Sequence, residues 1–253
     1  MAARLIALAL ALAAALPARA FDHSAWDALL KKYVIVQPGA HASKVDYAGF
    51  ARDHAALKGY LGALSAVQRS AFDAWPRDER KAFLINAYNA FTIEKILTRY
   101  PDIGSIWDFG KIFGNPFKDK FFALLGAPMS LDGIEHGMLR RRGAYDDPRI
   151  HYAVNCASIG CPMLREEAYG AARLEAQLDE QAVRFLSDRS RNRYRGGRLE
   201  VSKIFDWFEE DFEPLSKYLE RHAAALGHPG GEVPIGFLDY DWSLNDLRSS
   251  SPR

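Results

Sequence analysis

Polar and apolar positions along this chain follow two rhythms, one with the period of a helix and one with that of a strand. "HSAWDALLKKYV" gathers its apolar residues on one helical face and predicts a first helix. "DYAGFARDHAALKGYLGAL" predicts a second, continuous one. "PRDERKAFLINAYNAFTIEKILTRYP" predicts a long third helix between Pro76 and Pro101. Its middle is apolar almost all the way round, the mark of a buried helix. Short extended pieces follow: "FFALL", "RIHYAVN" and "YRGGRLEVS", the last a hairpin turning on Gly196-Gly197. "EEAYGAARLEAQLDEQAVRFLSD" reads as a helix between two of these, "DWFEEDFEPLSKYLERHAAAL" as a helix interrupted at Pro214, and "VPIGFLDYDWSLND" as a closing strand. The strands come late and single helices separate them. The expected fold is α+β, with helices packed on a small mixed or antiparallel sheet.

The first residues break both rhythms. Arg4 precedes an unbroken apolar run from Leu5 to Leu16, and Ala18-Arg19-Ala20 fits a cleavage motif. This is the layout of a signal peptide over residues 1–20, and the run is shorter than a spanning helix requires. A mature chain is expected to begin at Phe21 and to form a single domain to residue 253, exported to a periplasm or secreted, with no membrane span after cleavage. Disulfides persist in such compartments. Lys plus Arg number 33 against 32 Asp plus Glu. A chain so balanced gives no reason to expect nucleic acid or an anionic membrane as partner.

Three places carry candidate chemistry. Asn86 and Asn89 lie three apart on one face of the third helix. A buried carboxamide without partners costs roughly 1–3 kcal/mol, so the two imply either ties to loop backbone or a bound ligand. In "SLDGIEHGMLR", Asp132 followed by Glu135 reads as a helix start with a reciprocal cap. His136 then occupies a position where an apolar residue would pack better.

The third place is "HYAVNCASIGCP", which holds both cysteines. If "RIHYAVN" is extended, His151 points away from Cys156, and His136 becomes the preferred partner for a reactive Cys156. Gly160 and Pro162 force a loop between Cys156 and Cys161. That spacing permits a Cys156–Cys161 disulfide, a catalytic Cys156 with Cys161 resolving or buried, or two inert thiols. The H-x4-C-x4-C spacing is not that of the common structural zinc motifs, so neither metal nor cofactor is expected.

"FLINAYNAFTI", "LDGIEHGMLR", "IHYAVNCASIGCPML" and "VSKIFDWFEEDF" resemble, in order, successive motifs of the domain-of-unknown-function family 547. The resemblance runs from about Asp46 to Asn245. Relatives fused to glutaredoxin-like modules imply, by association, thiol or γ-glutamyl peptide chemistry. Two expectations result. One is an enzyme, a papain- or transglutaminase-like thiol hydrolase or acyltransferase acting on a peptide or amide. Cys156 would be its nucleophile and His136 or His151 its base, although papain-like enzymes place cysteine before histidine in the chain. The other is a non-catalytic module holding a peptide-like or small-molecule ligand through Asn86, Asn89 and His136, with its cysteines bridged.

Overall fold

The computed structural model describes residues 20–110 and 114–248. The expected signal peptide, apart from Ala20, lies outside them. The first predicted helix forms as Ser24–Tyr33 and buries Trp26, Leu29, Leu30 and Tyr33. A short antiparallel pair, Val34–Val36 with Ser43–Val45, follows it. The second predicted helix is two: Tyr47–Arg52 and His54–Ala66. Asp53 makes the break, because its carboxylate accepts from Lys32 Nζ and from the Tyr33 hydroxyl, both at 2.7 Å. A short acidic side chain turned toward such partners competes with helix continuation.

The long helix is Arg77–Leu97. Asp78 and Glu79 stand in its first turn and Lys95 in its last, matching the helix dipole at both ends. Residues 81–96 of this helix are all buried. Lys81, fully buried, is paired with Asp147. Around the helix lies the larger of two apolar clusters, built on Trp26, Tyr47, Phe50, Tyr60, Phe83 and Tyr88. A second cluster gathers Tyr152, Phe185, Val201, Phe205, Phe212 and Tyr218. Its main helix is Leu174–Leu186, shorter at its start than the sequence suggested.

One expected strand is a helix. "RIHYAVN" forms the helical turn Ile150–Ala153 and becomes extended only at Val154. The cause is the Asp147-Pro148 pair just before it. The Asp147 carboxylate accepts from Arg149 N at 3.0 Å, and carbonyls 147 and 148 accept from Ile150 N and His151 N. An acidic cap followed by proline is a helix start, and here it overrides the alternation. The other strands are present. Phe122–Leu124 pairs antiparallel with Ala127–Met129. Arg193–Arg195 and Arg198–Val201 form the hairpin. Its two turn residues, Gly196 and Gly197, have φ of +60° and +78°, values that such a tight turn demands and glycine adopts freely. Ile235–Phe237 adds in parallel to Arg198–Val201, making a small mixed sheet in an α+β fold.

The C-terminal segment stitches distant parts together. Val45 N donates to Asn245 O at 2.9 Å, Ile159 N to Ser243 O at 2.8 Å and Asn245 N to Ala157 O at 3.1 Å. Among the described residues no helix is long and apolar enough to cross a membrane.

Candidate functional site

Asn86 and Asn89 each clasp one stretch of backbone. Asn86 donates to Tyr169 O at 2.8 Å and accepts from Tyr169 N at 3.0 Å. Asn89 donates to Ala153 O at 2.9 Å and accepts from Asn155 N at 2.8 Å. Both carboxamides are buried, and each engages peptide groups through both its oxygen and its nitrogen. Asn89 thereby fixes the residues that lead into Cys156.

Beyond Asn155 the chain turns sharply. The Asn155 carboxamide oxygen accepts from Ala157 N at 2.9 Å, and its nitrogen donates to Pro162 O at 2.8 Å. Ala157 is left at φ +63°, a conformation that costs a non-glycine residue roughly 1–2 kcal/mol. Gly160 closes the loop against the C-terminal segment. A Cβ there would stand 3.0 Å from both the nitrogen and the oxygen of Asp241, so no larger residue fits without moving backbone.

The turn presents Cys156 half-buried and Cys161 buried, both as free thiols with sulfurs 2.7 Å apart. The expected bridge is therefore absent, since a covalent S–S bond is about 2.05 Å. Cys156 Sγ also meets Ser158 Oγ at 3.0 Å and Tyr240 Oη at 3.1 Å. Burial pushes its pKa up, but hydrogen bonds from Cys161, Ser158 and Tyr240 outweigh this and hold it below the ordinary thiol value. Cys161 is driven well above that value, by burial first and then by its bond to Cys156 and the charge there. The pair is thus polarised: of the two thiols Cys156 gives up its proton the more readily and Cys161 holds its own.

Neither histidine is a hydrogen-bond partner of Cys156, but both line the same cleft of about 400 Å³. His151 is buried, with its ring stacked on Phe208 at 4.3 Å between centroids. Its Nε2 lies 2.6 Å from Asp211 Oδ2. A carboxylate can only accept, so Nε2 carries a hydrogen, and Nδ1 is the nitrogen left to accept when the ring is neutral. The Asp211 carboxyl loses some affinity for charge by burial. Hydrogen bonds from His151 and Arg140 more than compensate and hold its pKa at about 2.

His136 has the opposite polarity. Arg140 Nη1 lies 2.7 Å from His136 Nδ1. A guanidinium only donates, so the His136 proton sits on Nε2, 3.8 Å from Asp132 Oδ1. No hydrogen-bond donor therefore occupies Nδ1 of His151, while the accepting nitrogen of His136 is taken by Arg140.

Ser130, not Asp132, caps the helix Leu131–Ile134, accepting from Gly133 N at 3.0 Å. The expected reciprocal cap with Glu135 is replaced, because Glu135 begins a π-helical turn over Glu135–Leu139. Its carboxylate turns into the cleft, 4.0 Å from His151 Nδ1. Tyr88, kept protonated by burial and by the charge of Glu135, donates to it.

The cleft lies on the seam between the two apolar clusters, with Tyr88, Val154 and Phe117 from one and Ile204, Phe208 and Tyr240 from the other. An aromatic arc leads away from Cys156. Tyr240 contacts Trp242 at 4.5 Å, Trp242 contacts Trp107 at 5.4 Å, and Trp107 contacts Phe117 at 5.8 Å between ring centroids. Among the described residues no group of three His, Cys, Asp or Glu side chains is disposed to hold a metal ion.

Asp211 and Tyr240 escaped the sequence reading. Asp211 stands in "DWFEEDF", a stretch that signalled the family but gave no role to any one carboxylate. Tyr240 stands in a segment read only as a strand, and no local signal linked it to Cys156.

Fold and site together describe an α+β protein with a polarised thiol pair and a His–Asp pair opening on one aromatic cleft. Residues 72–186 match the family model described as "Protein of unknown function, DUF547", which supports the resemblance seen in the sequence motifs. The match takes in Asn86, Asn89, both candidate histidines and both cysteines, and stops before Asp211 and Tyr240. No curated protein and no solved structure matches the chain significantly.

Proposed function

We propose that the protein is an exported thiol-dependent hydrolase or acyltransferase acting on a peptide or amide bond. The observation that carries this reading is a thiol held below its ordinary pKa in the same cleft as a histidine whose far nitrogen is fixed by a carboxylate. That is the chemistry of an activated nucleophile with an oriented base. His151 Nδ1 takes the Cys156 proton as the sulfur adds to the carbonyl carbon. The Tyr240 hydroxyl, already beside the sulfur, donates to the developing oxyanion. His151, its positive charge balanced by Asp211, returns the proton to the departing nitrogen. Water or an amine then attacks the thioester, gives its proton to His151, and releases Cys156. Contacts of this kind are often long before substrate binds and shorten in the complex.

Cleft charge narrows the substrate. Asp132 and Glu135 line it, and no lysine or arginine does among the described residues. This favours neutral or cationic substrates over a γ-glutamyl peptide carrying two carboxylates. The aromatic arc suits an apolar or aromatic group next to the scissile bond. Export is supported by the Arg4, apolar-run and Ala18-Arg19-Ala20 layout.

The test is to incubate the reduced mature chain with a panel of peptide amides and search by intact mass for a thioester on Cys156. Cys156→Ala and His151→Ala should each abolish it, while His136→Ala should keep most of it. Turnover that survives Cys156→Ala would sink the proposal. A second reading, a non-catalytic ligand-binding module with bridged cysteines, draws on the contact between the two sulfurs. Oxidation by a disulfide-bearing catalyst would remove two electrons and two protons and join them with little movement. A native exported protein with no free thiol would favour that reading.

A further inference from the structure

A buried acid lies outside the cleft, and no step above uses it. Glu79, in the first turn of the long helix, is 6% exposed. Among the described residues no lysine, arginine or histidine is paired with it, and its hydrogen-bond donor is the main-chain nitrogen of Phe21, 2.7 Å from Oε1. A carboxylate buried against a single peptide N–H is poorly compensated for leaving water.

Phe21 is also anchored. Its ring meets Phe83 edge-on at 5.1 Å, Tyr60 at 6.1 Å and His23 at 4.9 Å between centroids. Ala20, one residue earlier, is exposed. The sequence independently marks the Ala20–Phe21 bond as the site of cleavage.

We infer that Glu79 is the seat for the α-ammonium of Phe21, created when the leader is cut after Ala20; this rests on export and cleavage, not on the thiol chemistry. Hydrolysis breaks the C–N bond, places the oxygen of water on the Ala20 carbonyl carbon as a carboxylate, and leaves the Phe21 nitrogen protonated. One neutral donor becomes three charged ones at the same place. The contact with Glu79 becomes a charge-assisted hydrogen bond, and the buried acid gains its counter-ion. A cut one residue early would keep a neutral amide at Phe21 and carry the charge about 3.8 Å along the chain. The seat therefore reads the cleavage position and rewards only one.

The experiment compares four purified chains: one starting at Phe21, one with Ala20 retained, and Glu79→Gln in each. The chain starting at Phe21 should melt at least about 4 °C above the one retaining Ala20, and Glu79→Gln should erase that difference. In parallel, acylation of the free α-amine by an N-hydroxysuccinimide ester near neutral pH should be at least tenfold slower at Phe21 than at Ala20. Should a Glu79→Gln chain fail to fold, this labelling ratio on the two unsubstituted chains decides. Equal melting of the two unsubstituted chains, or equal labelling of their amines, overturns the inference, as does intact mass placing the natural terminus elsewhere. None of these outcomes depends on whether Cys156 is a nucleophile.

Discussion

Cys156 and Cys161 are the same residue type five positions apart, yet their surroundings push them in opposite directions. What separates them is the supply of donors: Ser158 and Tyr240 reach the first sulfur and Cys161 itself adds a third. Under reducing conditions Cys156 should therefore react with iodoacetamide from a pH below the usual thiol value of about 8.5, while Cys161 stays unmodified. Tyr240→Phe removes one donor and should slow this reaction at pH 7 by roughly 2- to 10-fold; peptide mapping of the alkylated sites reads both effects. Asp211 supplies a second prediction. Its folded pKa of about 2 lies below the unfolded value of about 3.9, so its contribution to stability is complete well above pH 4 and is lost as pH falls through 2. The melting-temperature gap between the native chain and Asp211→Asn should be open at pH 6 and closing by pH 2.5. A gap independent of pH would detach Asp211 from His151.

Among the elements, the long helix and the turn at Ile150–Ala153 decide where the site can form. Asn89 joins them by gripping Ala153 O and Asn155 N. Asn89→Ala strands two buried peptide groups and should cost about 2–4 kcal/mol of unfolding free energy, measured by urea melts. Because that grip leads into Cys156, the same change should slow Cys156 alkylation. Asn86→Ala should be comparably destabilising and leave that rate closer to native, since Asn86 grips Tyr169 instead.

These elements also mark the limit of what the sequence could reveal. The all-apolar surround of "FLINAYNAF" announced a buried helix and made its two asparagines conspicuous, because an unpartnered carboxamide there is costly. The hairpin was legible from its glycine pair. In "RIHYAVN" the alternation and the Asp147-Pro148 start signal point to different structures, and the start signal prevails in the helical turn Ile150–Ala153. The strand reading pointed His151 away from Cys156 and made His136 the preferred partner, and the helical turn removes that reason for choosing between them. The tautomers that favour His151 depend on Arg140 and Asp211, which meet the histidines only in space.

Across the whole molecule, the family match covers residues 72–186, but neither apolar cluster closes within that span. Trp26, Tyr47, Phe50 and Leu57 of the larger cluster precede it and are fully buried. Each contributes roughly 1.5–3 kcal/mol by its burial, and Val201, Phe205 and Phe212 of the smaller cluster follow it. A fragment of residues 72–186 alone should show no cooperative thermal transition by circular dichroism, whereas residues 21–248 should melt cooperatively. A sharp melt from the short fragment would mean that the flanks decorate a core rather than complete one.

The close fit between Gly160 and Asp241 also has a consequence for time. A ribosome or export channel delivers the chain from its N-terminus, so both cysteines emerge about 80 residues before Tyr240 and its neighbours. Until that tail docks, the sulfurs lack its cover and the Tyr240 donor that helps to bias one against the other. On the proposed export, a thiol-oxidising catalyst at the channel exit meets an open pair during that interval and a covered, more strongly polarised one afterwards. If the chain is exported as proposed, pulse-labelled chains sampled during translocation should therefore form the Cys156–Cys161 bridge faster than folded, reduced protein exposed to the same oxidant. Whether the mature molecule starts life with its thiols free is then decided by the order in which its parts arrive.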